Sequence, residues 1–190
     1  MRYPKDVRWT GVLQKLLGPE YNVIEEGCNG RTTIHDDPTE EWLNGLEYLR
    51  PCLKTHKPVD YIILMLGSND LKTYFHLTAA EIADGAEVLV ETIKSFAPTQ
   101  QEYQPKIILV APALIGDDLE HSPFNDTFDQ TAVERSLKFA KEYKRVADET
   151  GCIFFDASKC SKASPIDSLH FTPESHYSLA CEFAKLFAEI

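Results

Sequence analysis

Residues 59–66 read VDYIILML, and from Tyr61 onward the side chains on both sides of an extended chain are apolar. A strand with one wet face alternates between apolar and polar; one that is apolar on both sides belongs inside a parallel sheet covered by helices. Working outward, residues 106–111 (KIILVA) repeat this signature and stop at Pro112, and residues 152–155 (CIFF) repeat it again before Asp156. Residues 21–26 are expected to add a further short strand ending at Gly27. Helical signals lie between these runs. Asp6 is expected to cap a helix through Leu17 that Gly18 terminates. Thr78 opens a helix over residues 79–96, with Glu81 at the spacing of a capping box. Residues 130–150 carry Val133, Leu137, Ala140, Tyr143 and Val146 at helical intervals. Thr172 or Pro173 begins a last helix with Leu179, Phe183 and Leu186 on one face. Alternation of this kind predicts an α/β fold, a parallel sheet with helices on both faces. In such sheets ligands collect beyond the C-terminal ends of the strands, so the polar residues just after each strand are the ones to inspect.

The remainder of the sequence narrows the class. A chain of 190 residues, with no repeat, linker or low-complexity tract, is expected to form one domain over residues 1–190. Its formal charge is −11, which repels phosphate backbones and argues against a nucleic-acid partner. The longest apolar run, residues 61–66, is far short of the ~20 residues of a membrane-spanning helix. Residues 1–9 lack the apolar core of a signal peptide. The five cysteines (Cys28, Cys52, Cys152, Cys160, Cys181) are odd in number and form no C-x-x-C pair. Reduced thiols and a cytoplasmic location are therefore expected.

Three polar stretches follow strands. Gly27-Cys28-Asn29-Gly30-Arg31-Thr32-Thr33 comes after the first, and its glycines allow a backbone N–H to approach a ligand closely. Gly67-Ser68-Asn69-Asp70 comes after the second, where an asparagine amide can be aimed at a developing oxyanion. Asp167-Ser168-Leu169-His170-Phe171-Thr172 precedes the last helix. Its spacing lets a carboxylate reach an imidazole Nδ1–H, which fixes the tautomer and leaves Nε2 as a base. Taken singly, each stretch has a plainer reading: a turn, ordinary Asn-Asp turn chemistry, and a chance surface pairing. Together they supply an acid, a base and two oxyanion donors.

With these residues in view the chain resembles the SGNH hydrolases (GDSL-type esterases and lipases), most of all their bacterial arylesterase/acyltransferase branch. The stretches that carry the resemblance are DVRWTGVL (6–13), VIEEG (23–27), RTT (31–33), DDPTEEWLNGLEYL (36–49), MLGSND (65–70) and DSLHFT (167–172). The resemblance implies a three-layer α/β/α, flavodoxin-like fold. It implies Gly30 N–H and Asn69 as the oxyanion hole, Gly67 as a turn glycine, Asp167 as the acid and His170 as the base. A small-molecule ester is the implied substrate, short-chain and either acetylated-sugar or aryl in type, and no metal or organic cofactor is implied. Tyr74, Phe75 and Phe171 are candidates for an acyl pocket, with core packing as their plainer reading. Residues 111–114 are a further pocket wall by family analogy. His35, Asp36 and Asp37 look like a metal cluster, but adjacent residues point apart and a solvated turn is expected. His76, His121 and His176 receive no role.

The sequence departs from the family pattern in one respect. The family's nucleophile is the serine of a Gly-Asp-Ser motif that follows the first strand, and no Gly-Asp-Ser occurs here. By resemblance, that strand and motif precede residues 2–9, so both are expected to be missing and the domain truncated at its N-terminus. Ser68 lies on the oxyanion loop, where its hydroxyl would compete with Asn69. Cys28 is a conceivable thiol nucleophile, although a structural cysteine is the commoner case, and Ser168 is expected to point away from acid and base. None of the three is assigned as nucleophile. Loss of an interior strand would expose apolar neighbours, so either direct pairing of residues 21–26 with 59–66 or a homo-oligomer is expected. Two function classes are carried: an ester hydrolase, with acyltransfer as a variant, and a catalytically inactive SGNH-fold binding protein. A nucleotide-binding module finds no glycine-rich phosphate loop opening a helix.

Overall fold

The computed structural model describes residues 2–190. The apolar runs form a three-stranded parallel sheet, β1 (Tyr61–Leu64), β2 (Lys106–Ala111) and β3 (Ile153–Asp156), in the order β1-β2-β3. Tyr61 lies opposite Lys106 and Leu64 opposite Leu109, while Ile108 lies opposite Ile153 and Ala111 opposite Asp156. The central strand shows why its sequence is apolar on both sides. Ile107, Leu109 and Ala111 enter one core with α3 (Ala79–Gln100) and α5 (Phe139–Thr150). Ile108 and Val110 enter the other, with α1 (Trp9–Leu17) and α6 (Pro173–Phe187). The molecule is thus three layers, α/β/α, with Leu13, Leu179 and Phe183 filling the second core.

Several helices start and stop for the reasons their sequences give. Thr78 Oγ1 accepts from Glu81 N while the Glu81 carboxylate accepts from Thr78 N, a complete capping box at the start of α3. Thr172 caps α6 with Pro173 at its first position. Gly151 ends α5 in the left-handed conformation, φ 69°.

Three expectations are corrected and one helix is added. Residues 21–26 form no strand; they are extended and unpaired with any ladder. The reason lies in Gln14, whose side chain accepts from Val23 N and donates to Tyr21 O, while Arg31 donates to Glu26 O. Side chains thus meet backbone groups that a neighbouring strand would otherwise meet, and the pairing of 21–26 with 59–66 does not occur. Helix α1 begins at Trp9 rather than beside Asp6, because residues 4–8 first make a turn in which Val7 N and Arg8 N donate to Pro4 O. The 130–150 helix is two pieces, α4 (Gln130–Ser136) and α5. Buried Ser136 donates its hydroxyl back to Val133 O and accepts from Ile115 N, so the side chain competes with the helical ladder where α4 stops. Finally, a helix not anticipated from the sequence, α2 (Gly45–His56), starts at Asn44, whose side chain accepts from Leu46 N and Glu47 N. Pro51 lies inside α2, where its missing N–H removes a helical hydrogen bond and reads, in sequence, against a helix.

Candidate active site

After β1 the chain turns at Gly67, where φ is 125°. Tyr143, buried in α5, donates its hydroxyl to Leu66 O at 2.6 Å and occupies the space a Gly67 side chain would need. The chain then makes a short 3-10 turn over Asn69–Leu71. Asn69 donates one amide N–H to Arg31 O at 3.0 Å, and its second N–H makes no hydrogen bond to the described residues. Asp70, fully buried, receives Thr33 N at 3.0 Å, Thr33 Oγ1 at 2.5 Å and His35 Nδ1 at 3.2 Å. This carboxylate binds the 27–35 loop to the turn after β1. It holds Gly30, with φ 77°, in the loop whose Arg31 carbonyl Asn69 touches. No local pattern marks the role of Asp70, because its partners lie 37 and 35 positions away.

The second half of the site is local in sequence. Asp167 Oδ1 accepts from Leu169 N and His170 N at 3.0 and 2.9 Å, and Oδ2 faces His170 Nδ1 at 2.9 Å. Burial pushes the Asp167 carboxyl up, but those backbone donors and the imidazole outweigh it and hold the group below its ordinary value. The imidazole is 60% exposed against 18% for the carboxylate. Nε2 therefore faces outward, with no hydrogen-bond partner among the described residues. Ser168, buried with φ 60°, turns inward and lies 3.0 Å from a side chain built at Gly116, whose N–H donates to Ser168 O at 2.8 Å. Ser168 is thus a packing residue of the turn.

One segment, unremarked in the sequence, touches both halves. Ser122 Oγ donates to Asp167 O at 2.7 Å, the Phe124 ring lies 5.4 Å from the His170 ring, and Thr127 O accepts from Thr73 N at 2.9 Å. No local pattern marks Ser122 and Phe124, because their partners lie some 45 positions along the chain.

The candidate pocket residues divide. Tyr74 and Phe75 stand together, ring centroids 4.8 Å apart, with Phe75 5.8 Å from His35. Phe171 packs edge-on to His176 in the α1–α6 core and does not join them. The 35–37 stretch is not the solvated turn expected. His35 contacts Asp70, and Asp37 is buried in an ion pair with Lys72 at 2.5 Å, where it also accepts from Tyr74 and Thr39. Burial opposes the charge on Asp37, but Lys72 and the hydroxyl donors prevail and hold its carboxyl well below the usual range. Cys28 is exposed, with its thiol toward the neighbouring Asn29 carbonyl. Among the described residues, one group of metal-competent side chains, Glu26, Cys52 and His56, lies outside this site.

Residues 3–177 match the GDSL-like lipase/acylhydrolase family. The chain belongs to that family. Solved structures agree over its whole length. An aryl esterase from M. smegmatis superposes with a TM-score of 0.93 at 37% identity, covering 100% of this chain and 88% of that one. A carbohydrate acetylesterase from Sinorhizobium meliloti gives 0.92 at 37% identity, again with 100% and 88% covered. A putative arylesterase from Agrobacterium tumefaciens gives 0.88 at 31% identity, with 100% and 90% covered. No curated protein matches the chain. The three-layer fold is accordingly that of the SGNH hydrolases, and the chain is of the carboxylic-ester hydrolase type.

Proposed function

We propose that this GDSL-family chain carries the acid, base and oxyanion groups of a serine esterase acting on short-chain acyl esters. The observation that supports this most is the Asp167–His170 pair: Nδ1 is engaged by a carboxylate that stays ionised, and Nε2 faces solvent. In the reaction a serine hydroxyl gives its proton to His170 Nε2 as it attacks the ester carbonyl. Asp167 keeps the imidazole in the required tautomer and stabilises the imidazolium. Gly30 N–H and the second N–H of Asn69 receive the oxyanion, and each such donor contributes about 10²–10³ in turnover. His170 then returns the proton to the leaving alcohol. Water, or a second alcohol in an acyltransfer variant, releases the acyl group. Aryl esters and acetylated sugars are the substrates proposed, after the aryl esterase and carbohydrate acetylesterase it resembles.

The serine itself has no counterpart among Ser68, Ser168 and Cys28, and the chain has no Gly-Asp-Ser. A second reading is an SGNH-fold binding protein that retains the pocket without turnover. p-Nitrophenyl acetate distinguishes the two. Joined to an upstream apolar strand ending in Gly-Asp-Ser, the chain is expected to hydrolyse this ester, with the activity lost in His170→Ala and reduced about 10²–10³-fold in Asn69→Ala. Hydrolysis that survives His170→Ala would overturn the assignment. No hydrolysis together with saturable binding of the ester supports the binding protein.

A further inference from the structure

Cys52 and His56 are four residues apart on α2, on one face of the helix. Glu26 reaches the same point from the extended segment that leads into the Gly27–Thr33 loop. The Cys52 Sγ, a His56 nitrogen and a Glu26 carboxylate oxygen all lie within 4.8 Å of one another, and all three residues are partly buried. We propose that Cys52, His56 and Glu26 form a binding site for a thiophilic divalent cation, with zinc as the ion the donors fit best.

The donor set carries the choice of ion. One thiolate, one imidazole and one carboxylate suit a tetrahedral d¹⁰ ion, whereas calcium and magnesium require oxygen ligands. Bonds of about 2.0–2.3 Å would hold the ligand atoms roughly 3.3–3.8 Å apart. The spacing present, within 4.8 Å, is close to that, with the 2.7 Å contact between His56 Nε2 and Glu26 Oε1 opening around the ion. Partial exposure leaves a direction from which water supplies the fourth ligand. A simple Glu26–His56 ion pair explains two of the three groups; it gives no reason for a thiol to converge on them.

The surroundings orient the carboxylate in the way that outer partners of metal ligands do. Tyr48 donates its hydroxyl to Glu26 Oε2. The Arg31 guanidinium stacks 3.9 Å above the Tyr48 ring and donates to the Glu26 carbonyl at 2.6 Å. Binding displaces the thiol proton: the S–H bond breaks, a sulfur–metal bond forms and the proton goes to buffer. The bound ion would tie α2 to the segment just ahead of Gly30.

The test uses the whole chain, reduced and treated with chelator, and it does not depend on the esterase reading. Cobalt(II) serves as the spectroscopic probe and zinc as the calorimetric one. Expected are one equivalent of metal per chain, a thiolate-to-cobalt charge-transfer band with tetrahedral d–d absorption, displacement of cobalt by zinc, and a rise in Tm with zinc. Cys52→Ser removes the charge-transfer band, His56→Gln weakens zinc binding at least ~10-fold, and Cys28→Ser changes neither. The absence of a charge-transfer band in the native chain, its persistence in Cys52→Ser, or zinc affinity unaltered by His56→Gln overturns the proposal. Should Cys52→Ser fail to fold by circular dichroism, the native spectrum with the His56 and Cys28 variants decides the matter.

Discussion

At Gly67 the backbone leaves β1 with φ 125°, and a Cβ built there would lie 2.1 Å from the Tyr143 hydroxyl oxygen. Any side chain must therefore both strain the backbone and push Tyr143 away from the Leu66 carbonyl. Gly67→Ala is expected to cost on the order of 2–4 kcal/mol, read as a lower urea midpoint. An unchanged midpoint would show that the turn yields more freely than its packing implies. Asp167 makes a different residue-scale prediction. Its carboxyl is held below the ordinary value, so the unfolded chain takes up this proton at a higher pH than the folded one. The stabilisation is complete above about pH 4 and is lost as pH falls through the lower folded-state value. Asp167→Asn keeps an acceptor for the two backbone N–H groups but abolishes this titration. Its stability relative to the native chain should thus improve as pH falls from about 5 to 2. Parallel curves of urea midpoint against pH would contradict it.

At the scale of elements, the α4–α5 break depends on Ser136. The serine is buried, and Ile115 N has its hydroxyl as acceptor. Ser136→Ala leaves that N–H without a partner, at a cost of about 1–3 kcal/mol. Thermal unfolding measures it, and a variant as stable as the parent would mean that the junction re-forms as continuous helix. The same junction shows what a sequence can and cannot reveal. Residues 130–150 have the right period for one helix, and only the three-dimensional position of Ile115 makes Ser136 an interruption. Strands β1, β2 and β3 were legible because burial on both faces writes itself into consecutive residues. Residues 21–26 were misread for the complementary reason: a strand exists only with a ladder partner, and Gln14 supplied other partners instead. The Asp167–His170 pair was legible because it is local. Asp70, Ser122 and Phe124 were not, since their partners lie tens of residues away and no pattern in the chain marks them. Phe171 packs on His176 and the α1–α6 core, since an aromatic beside a histidine in sequence can face either way.

Over the whole molecule the sheet has an outer strand, β1, with no ladder partner on its far side among the described residues. The extended 21–26 segment runs nearby, with Tyr21 6.4 Å from Tyr61, yet offers it no backbone hydrogen bonds. Open edges of apolar strands recruit other chains. Sedimentation of this 190-residue chain is expected to give an average mass that rises with concentration. A single monomeric species across the accessible range would mean that the edge is already screened.

The grip of Asp70 on Thr33 has a kinetic meaning as well as a static one. The Thr33 amide proton points at a fully buried carboxylate that also holds the Thr33 hydroxyl and faces His35. It can trade with deuterium only when the loop carrying Gly30 swings off the sheet, so its exchange rate is a clock for that opening. A nuclear resonance from one backbone position thereby reports how often the Gly30 side of the candidate site comes apart, without substrate and without turnover.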